Sequence, residues 1–237
     1  MKKEDDEMFF YDATYILVII GAIISLIASA NVNRTFKKYS RMGNSRGLSA
    51  ETVAQMILDS AGITDVRIER IRGNLTDHYD PSNKVLRLSD SVYGSTSVAA
   101  IGVAAHECGH AVQHFVGYGP LKLRSVSVPV ANIGSKLSWP LIFIGLLLGS
   151  VNLAEVGVLL FLFVVIFQLI TLPVEFNASN RAINILEYNN VLYGNELSSA
   201  RKVLSAAALT YVAALFSSIL QLLRLILIVQ GGNRRSD

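Results

Sequence analysis

The chain of 237 residues holds a single cysteine, Cys108, so it cannot close an internal disulfide, and a disulfide-framed secreted scaffold is excluded. Charge is scarce as well. Asp, Glu, Lys and Arg make up 16% of the residues, against roughly 25% in an average soluble protein, while hydrophobic residues reach 51% and mean hydropathy is +0.44. That balance argues against a purely soluble globular chain. An excess of one sign is also missing: 21 basic against 18 acidic residues leave +3, without the basic stripe that a nucleic-acid surface needs, so no nucleic-acid partner is expected. The sequence has no internal repeat and no low-complexity segment.

Long apolar runs are present instead. Ala13 to Asn33 is uncharged, and its apolar series Tyr15 to Ala30 is close to the ~20 residues that cross a hydrocarbon core. The preceding residues, with Glu4, Asp5, Asp6, Glu7 and Asp12 against Lys2 and Lys3, lack the basic region of a cleavable signal peptide, so the segment reads as a spanning anchor. Arg34, Lys37, Lys38, Arg41 and Arg46 follow it with no acid between Asp12 and Glu51, which orients the anchor N-outside, C-inside. Leu137 to Ala154 and Val156 to Val174 form a transmembrane hairpin with Glu155 in its outer loop. Lys122, Arg124 and Lys136 before it and Arg181 after it keep both open ends cytoplasmic. Val203 to Gln230 adds a less clear crossing, because it carries Tyr211, Gln221 and Arg224 and would leave Arg234 and Arg235 outside. Gly21, Ser25 and Ser29 recur at helical spacing and suggest a helix-packing face.

Leu48 to Gly119 has the composition of a soluble α+β unit. Ser49 and Thr52 open a helix closed by Gly62; Val66, Ile68 and Ile71 mark a short strand; Leu75 to Tyr79 and Lys84 to Leu88 flank the turn Asp80-Pro81-Ser82-Asn83 as a hairpin. Ser95 or Ser97 then caps a helix running to about Val116 and closed by Gly117, Gly119 and Pro120.

On that helix lies His106-Glu107-Cys108-Gly109-His110, an HExxH pattern. Residues i and i+4 project from nearly one side of a helix, so His106 and His110 can reach one Zn²⁺. Glu107, on the adjoining face, can act as general base towards a zinc-activated water. His114 has rotated about 80° from His106 and reads as a supporting or surface histidine. Cys108 faces away as a small packing residue, and His78 in the hairpin reads as surface or substrate groove. A third ligand must come from the acids after the motif: Glu155, Glu175, Glu187, Glu196 and Asp237. Glu155 falls in the outer loop, Asp237 at the terminus, Glu187 and Glu196 in a polar connector. Glu175 alone ends a spanning helix on the side to which the hairpin returns the chain. The expected metal set is His106, His110 and Glu175.

The motif, the two spanning segments and Glu175-Phe176-Asn177-Ala178-Ser179 resemble the integral-membrane gluzincins of the HtpX and CAAX-protease type, which carry E-F-x-A-D where this chain has Ser179. DHYDPSNKVLRLSDSVYGSTSVAAIGVAAHECGHAVQH, PLKLRSVSVPVANIGSKLSW, QLITLPVEFNASNRA and VLSAAALTYVAALFSSILQLLRL are similar to the YugP-type neutral zinc metallopeptidases of bacterial membranes, across nearly all the chain from Asp77 onward. The resemblance implies His106, His110 and Glu175 as ligands of one Zn²⁺ per chain and Glu107 as the base.

The expected architecture is an α+β zincin-like catalytic unit combined with three to four transmembrane α-helices. Its parts are an N-terminal anchor (1–33), a cytoplasmic α+β segment (34–120), a transmembrane hairpin ending in the Glu175 motif (121–182), a polar connector (183–202) and a C-terminal transmembrane helix and tail (203–237). The expected function is a zinc-dependent endopeptidase in the bacterial plasma membrane. It would cleave proteins or peptides, membrane-associated ones included, at the cytoplasmic face. By analogy with zincins, Lys84 to Leu88 is the expected sheet edge for an extended substrate. The alternatives are a non-catalytic zinc-binding adaptor and a metal transporter, which would place such a pair inside a spanning segment. Arg181, Asn180 and Tyr211 are the candidates for stabilising an oxyanion, with nothing in the sequence to choose among them.

Overall fold

The computed structural model describes residues 13–233; the acidic residues 1–12, the pair Arg234 and Arg235 and the terminal Asp237 lie outside the described residues. In chain order the elements are α1 (Tyr15–Tyr39), α2 (Ala50–Ser60), β1 (Arg67–Ile71), β2 (His78–Asp80), β3 (Val85–Ser89), α3 (Val98–Phe115), α4 (Gly119–Leu147), α5 (Val151–Tyr188) and α6 (Gly194–Asn233). The protein is mostly helical, and α1, α4, α5 and Gly194–Gly231 of α6 are long and apolar enough to cross a membrane.

Local chemistry sets these boundaries. Ser49 and Ser97 hold extended backbone, and their hydroxyls accept the amides of Thr52 and Ala100, capping α2 and α3. Gly117 closes α3 with a positive φ of 66°: its amide donates to the His114 carbonyl while the Tyr118 amide reaches Gln113, the paired bonds of a Schellman end. The α4–α5 turn is made the same way at Gly149, with Gly149 donating to Leu146 and Ser150 to Gly145. The turn therefore falls before Val151, and Glu155 lies inside α5 rather than in the outer loop. A continuous apolar run does not mark where its own turn sits; the left-handed glycine does. Glu175 likewise does not end its helix, since α5 continues to Tyr188. The loss of apolar character after Val174 leaves the backbone helical because Asn177, Ser179 and Arg181 all find partners.

The small sheet has the order β1-β3-β2, with β1 parallel to β3 and β2 antiparallel to it. Here the expectation for Lys84 to Leu88 is corrected. That strand pairs with β1 along its whole length and with β2 over Val85, Leu86 and Arg87, so it is the central strand and not the sheet's edge. The third strand that displaces it from the edge is β1, which reaches it by a parallel crossover that hairpin reasoning does not reveal. The β2–β3 turn is locked by Asp80, which accepts the amides of Ser82 and Asn83, the Asn83 side chain and the Arg87 guanidinium. The Asn83 contacts lead in holding its carboxyl well below the usual carboxylate range.

The chain forms two compact units. One contains Ala28–Ser125 and Ile170–Tyr211. Its core joins Ile57 and Leu58 of α2, Leu86 and Leu88 of β3 and Ile101 of α3 with Ile183, Leu186 and Leu192, all buried. Each such side chain contributes about 1.5–3 kcal/mol on burial. The other contains the residues up to Ile27, Val126–Leu169 and those from Val212 onward. There α4 and α5 approach through small residues: a Cβ on Gly145 would lie 2.5 Å from the Ala154 amide nitrogen, and one on Gly134 2.6 Å from the Leu160 carbonyl. Of the small-residue face expected on α1, Gly21 and Ser25 meet Ser217, whose hydroxyl donates to the Gly21 carbonyl at 2.8 Å. Arg224 of α6 stacks 4.0 Å over the Tyr15 ring at the start of α1.

Replacing the α3 cap, Ser97→Ala, is expected to cost about 1 kcal/mol. A lowered thermal unfolding midpoint of the detergent-purified protein, restored by Ser97→Asp, checks this.

Candidate metal centre

The three expected ligands meet. His106 and His110 sit one helical turn apart on α3, their rings edge to face with centroids 4.8 Å apart, and Glu175 reaches them from α5. Glu175 Oε2 lies 3.3 Å from His106 Nε2 and 3.5 Å from His110 Nε2, and one ligand atom from each residue falls within 4.8 Å of the others. The carboxylate is buried, and its Oε2 accepts no hydrogen bond.

The approach of the two helices depends on Gly109. A Cβ there would stand 2.6 Å from the Ala178 carbonyl, so only glycine lets α3 lie against α5 at this level. Gly102, two turns earlier, faces Ala200 at ordinary contact distance.

A hydrogen-bond chain behind the histidines fixes what they present. Arg181 can only donate, and its Nε donates to Asn177 Oδ1 at 2.7 Å. The same oxygen accepts Gln113 Nε2 at 3.0 Å, and Nε2 also donates to the Val174 carbonyl at 2.8 Å. Gln113 must therefore turn Oε1 to His110 Nδ1, 3.0 Å away, so Nδ1 carries the proton and Nε2 faces Glu175 with its lone pair. His106 Nδ1 is held by Ser179 Oγ at 3.0 Å, at the position where HtpX-type proteins carry Asp. A lone pair and a carboxylate oxygen turned towards each other in a buried space repel unless a cation or a proton stands between them. Burial works against the His110 imidazolium, but contact with Glu175 and the charge of Glu107 outweigh it and raise its pKa. The donor set, two imidazole nitrogens and one carboxylate oxygen, is the one that suits Zn²⁺ in a site with an open position. The residues fit the metal.

Glu107 is buried beside the pair, its Oε2 accepting the Tyr79 amide of β2 at 3.0 Å. His106, Glu107 and Glu175 line a cavity of about 250 Å³ together with Asp77, Ser179 and Tyr211. Asp77 accepts the Ser89 amide and hydroxyl, and burial, aided by the charge of Glu107, raises its pKa. Among the oxyanion candidates, Tyr211 shares this cavity. Arg181 is engaged with Asn177 and lies over the Tyr118 ring, and Asn180 lines a neighbouring groove.

The other residues singled out from the sequence lie apart from the cluster. His114 Nδ1 pairs with the Tyr79 hydroxyl at 2.9 Å, and His78 sits between the Thr76 carbonyl and Arg87. Cys108 is fully buried, donates to the Ala54 carbonyl of α2, and has its thiol pKa pushed up by burial. Sequence reasoning missed Gln113, Tyr79 and Arg124. Arg124, read as a topogenic charge, places Nη1 3.3 Å from Glu175 Oε1. A single periodic cue existed for Gln113, which follows His110 by three residues on the motif face.

Gly109→Ala is expected to push α5 away, weakening zinc binding in a competition titration with a chelator and lowering the unfolding midpoint by overpacking worth about 1–3 kcal/mol. Gln113→Leu keeps the volume but frees His110 to adopt either tautomer, and is expected to weaken zinc affinity by about 10- to 100-fold in the same titration.

Residues 14–230 match the family described as "Putative neutral zinc metallopeptidase". A Bacillus subtilis (strain 168) protein described as "Putative membrane protease YugP" is 49% identical over 220 residues, covering 92% of this chain and 97% of that protein. No solved structure matches the chain. With the family match spanning nearly the whole sequence and both histidines and Glu175 assembled within it, the chain belongs to the neutral zinc metallopeptidase family.

Proposed function

We propose that this protein is a membrane-embedded zinc endopeptidase that hydrolyses peptide bonds at the cytoplasmic face of the bacterial plasma membrane. The observation that carries the reading is the buried convergence of two histidine Nε2 atoms and an unpartnered Glu175 Oε2 beside Glu107. His106, His110 and Glu175 would hold one Zn²⁺ per chain. When bound, the ion supplies Lewis-acid polarisation of a peptide carbonyl and makes a water a better nucleophile at neutral pH.

The chain's own residues supply the rest. The Tyr79 amide holds Glu107 Oε2, leaving Oε1 to take a proton from the attacking water and pass it to the departing amine nitrogen. Arg124 holds Glu175 Oε1, so that Oε2 alone is turned towards the histidines. Tyr211 offers a hydroxyl to the cavity and is the donor available to a developing oxyanion. Anchoring of Glu107 by β2 also supports a zincin-like arrangement, with the small sheet lying beside the motif helix.

The cytoplasmic assignment rests on charge. Arg34, Lys37 and Lys38 occupy the C-terminal end of α1, and Lys122 and Arg124 lie at the start of α4, next to the segment that carries the motif.

Metal analysis of detergent-purified protein is expected to give about one zinc per wild-type chain, with loss or weakening in both His110→Ala and Glu175→Ala. Zinc-free wild type after metal-replete purification would overturn the reading. Glu107→Gln is expected to keep its zinc and to lose at least about 10²-fold in peptide cleavage, and full activity in that variant would remove Glu107 as the base.

A further inference from the structure

Within the unit that holds the metal site, a second and larger cleft, about 620 Å³, lies between the end of α1 and the beginning of α6. Its lining brings together Arg34 and Lys38, one turn apart on α1, with Arg201 and Lys202 on α6, and it contains no carboxylate. None of these cations makes an ion pair among the described residues; Lys38 leans only on the neighbouring Tyr39 ring, 5.2 Å from its centroid. Solvated cations at a membrane boundary are ordinary. Four of them lining one concave surface without a carboxylate is a more specific arrangement, because it leaves a positive potential in the cleft that favours an anion.

The rest of the lining is arranged by depth. Thr35, Ser198 and Ser205 place hydroxyls among the cations. Further along α6 the cleft is walled by Ala206 and the half-exposed Leu209, in the direction of that helix's apolar stretch. A polar, cationic end followed by an apolar one matches a molecule with a phosphate at one end and hydrocarbon at the other.

We propose that this cleft is a binding site for an anionic phospholipid, its phosphodiester headgroup held by Arg34, Lys38, Arg201 and Lys202 and the start of an acyl chain lying on Ala206 and Leu209. The guanidinium groups supply paired donors to phosphate oxygens, and the ammonium groups supply point charge. The site is separate from the metal ligands.

The test uses the full-length, zinc-loaded protein in neutral detergent, titrated with phosphatidylglycerol or phosphatidylcholine and read by native mass spectrometry. Wild type is expected to bind phosphatidylglycerol at least about tenfold more tightly than phosphatidylcholine. Lys38→Gln with Lys202→Gln is expected to weaken phosphatidylglycerol binding by about thirtyfold, at about 1 kcal/mol per cation. Neutralising all four should abolish the preference. Lys37→Gln with Arg41→Gln removes the same charge from adjacent positions outside the cleft and should leave the preference intact. Unchanged zinc content and unfolding midpoint show that each variant is folded. Three results would overturn the proposal: a preference that survives in the fourfold variant, an equal loss in the Lys37/Arg41 control, or displacement of the lipid by inorganic phosphate at matched concentration, which would make the cleft a site for the free anion.

Discussion

The structure around the metal centre depends on how closely α3 can lie against α5. Glu175 is a buried carboxylate, and a buried charge is tolerable only if something of opposite sign reaches it. The histidines can do so, directly or through a metal, only because Gly109 lets the Ala178 carbonyl occupy the space where any other residue would place a Cβ. The glycine is thus a geometric condition for Glu175 to meet the two histidines. On this reading the variable positions of the motif are not interchangeable: Cys108 turns into the α2 contact and Gly109 into the α5 contact.

Neutral groups do the orienting. Where the HtpX-type motif that this stretch resembles has a carboxylate, Ser179 holds His106, and an amide, Gln113, holds His110. A second carboxylate here would add negative charge to a space that already contains Glu107, Glu175 and Asp77. A hydroxyl and an amide keep the imidazoles aimed without adding to that charge, and Arg124 offsets part of it from the far side of Glu175.

Much of the centre was legible from the sequence because its signals are local or topological. The i, i+4 spacing places His106 and His110 together, and Glu175 does join them, although two premises that singled it out do not hold, since Glu155 is not in a loop and Glu175 does not end its helix. Ser49, Ser97, Gly62 and Gly117 mark helix ends by chemistry that acts within a few residues. The failures have two causes. The central position of β3 depends on a parallel partner distant in sequence, and Arg124 carries the same letter whether it serves topology or a ligand; both are decided by tertiary contact, which residue type and spacing do not encode. The α4–α5 turn is instead a local signal, Gly149 followed by Ser150, overlooked in favour of the charge at Glu155.

The orientation of the hydrogen-bond chain has a further consequence for how the site is specified. Asn177 and Gln113 each carry an amide that could face either way, and a chain of such groups has two self-consistent orientations. Arg181 removes one of them, because a guanidinium never accepts a hydrogen bond. The carbonyl of Val174 removes it again at the Gln113 step, because a carbonyl never donates. Two fixed groups, both from α5, therefore determine which nitrogen of a histidine on α3 is free to bind a metal. The helix that carries Glu175 also sets the tautomer of His110, so the His110 Nε2 lone pair faces the candidate site only when α5 is in place. Assembly of the ligand set and preparation of its members are in this way a single event of helix packing.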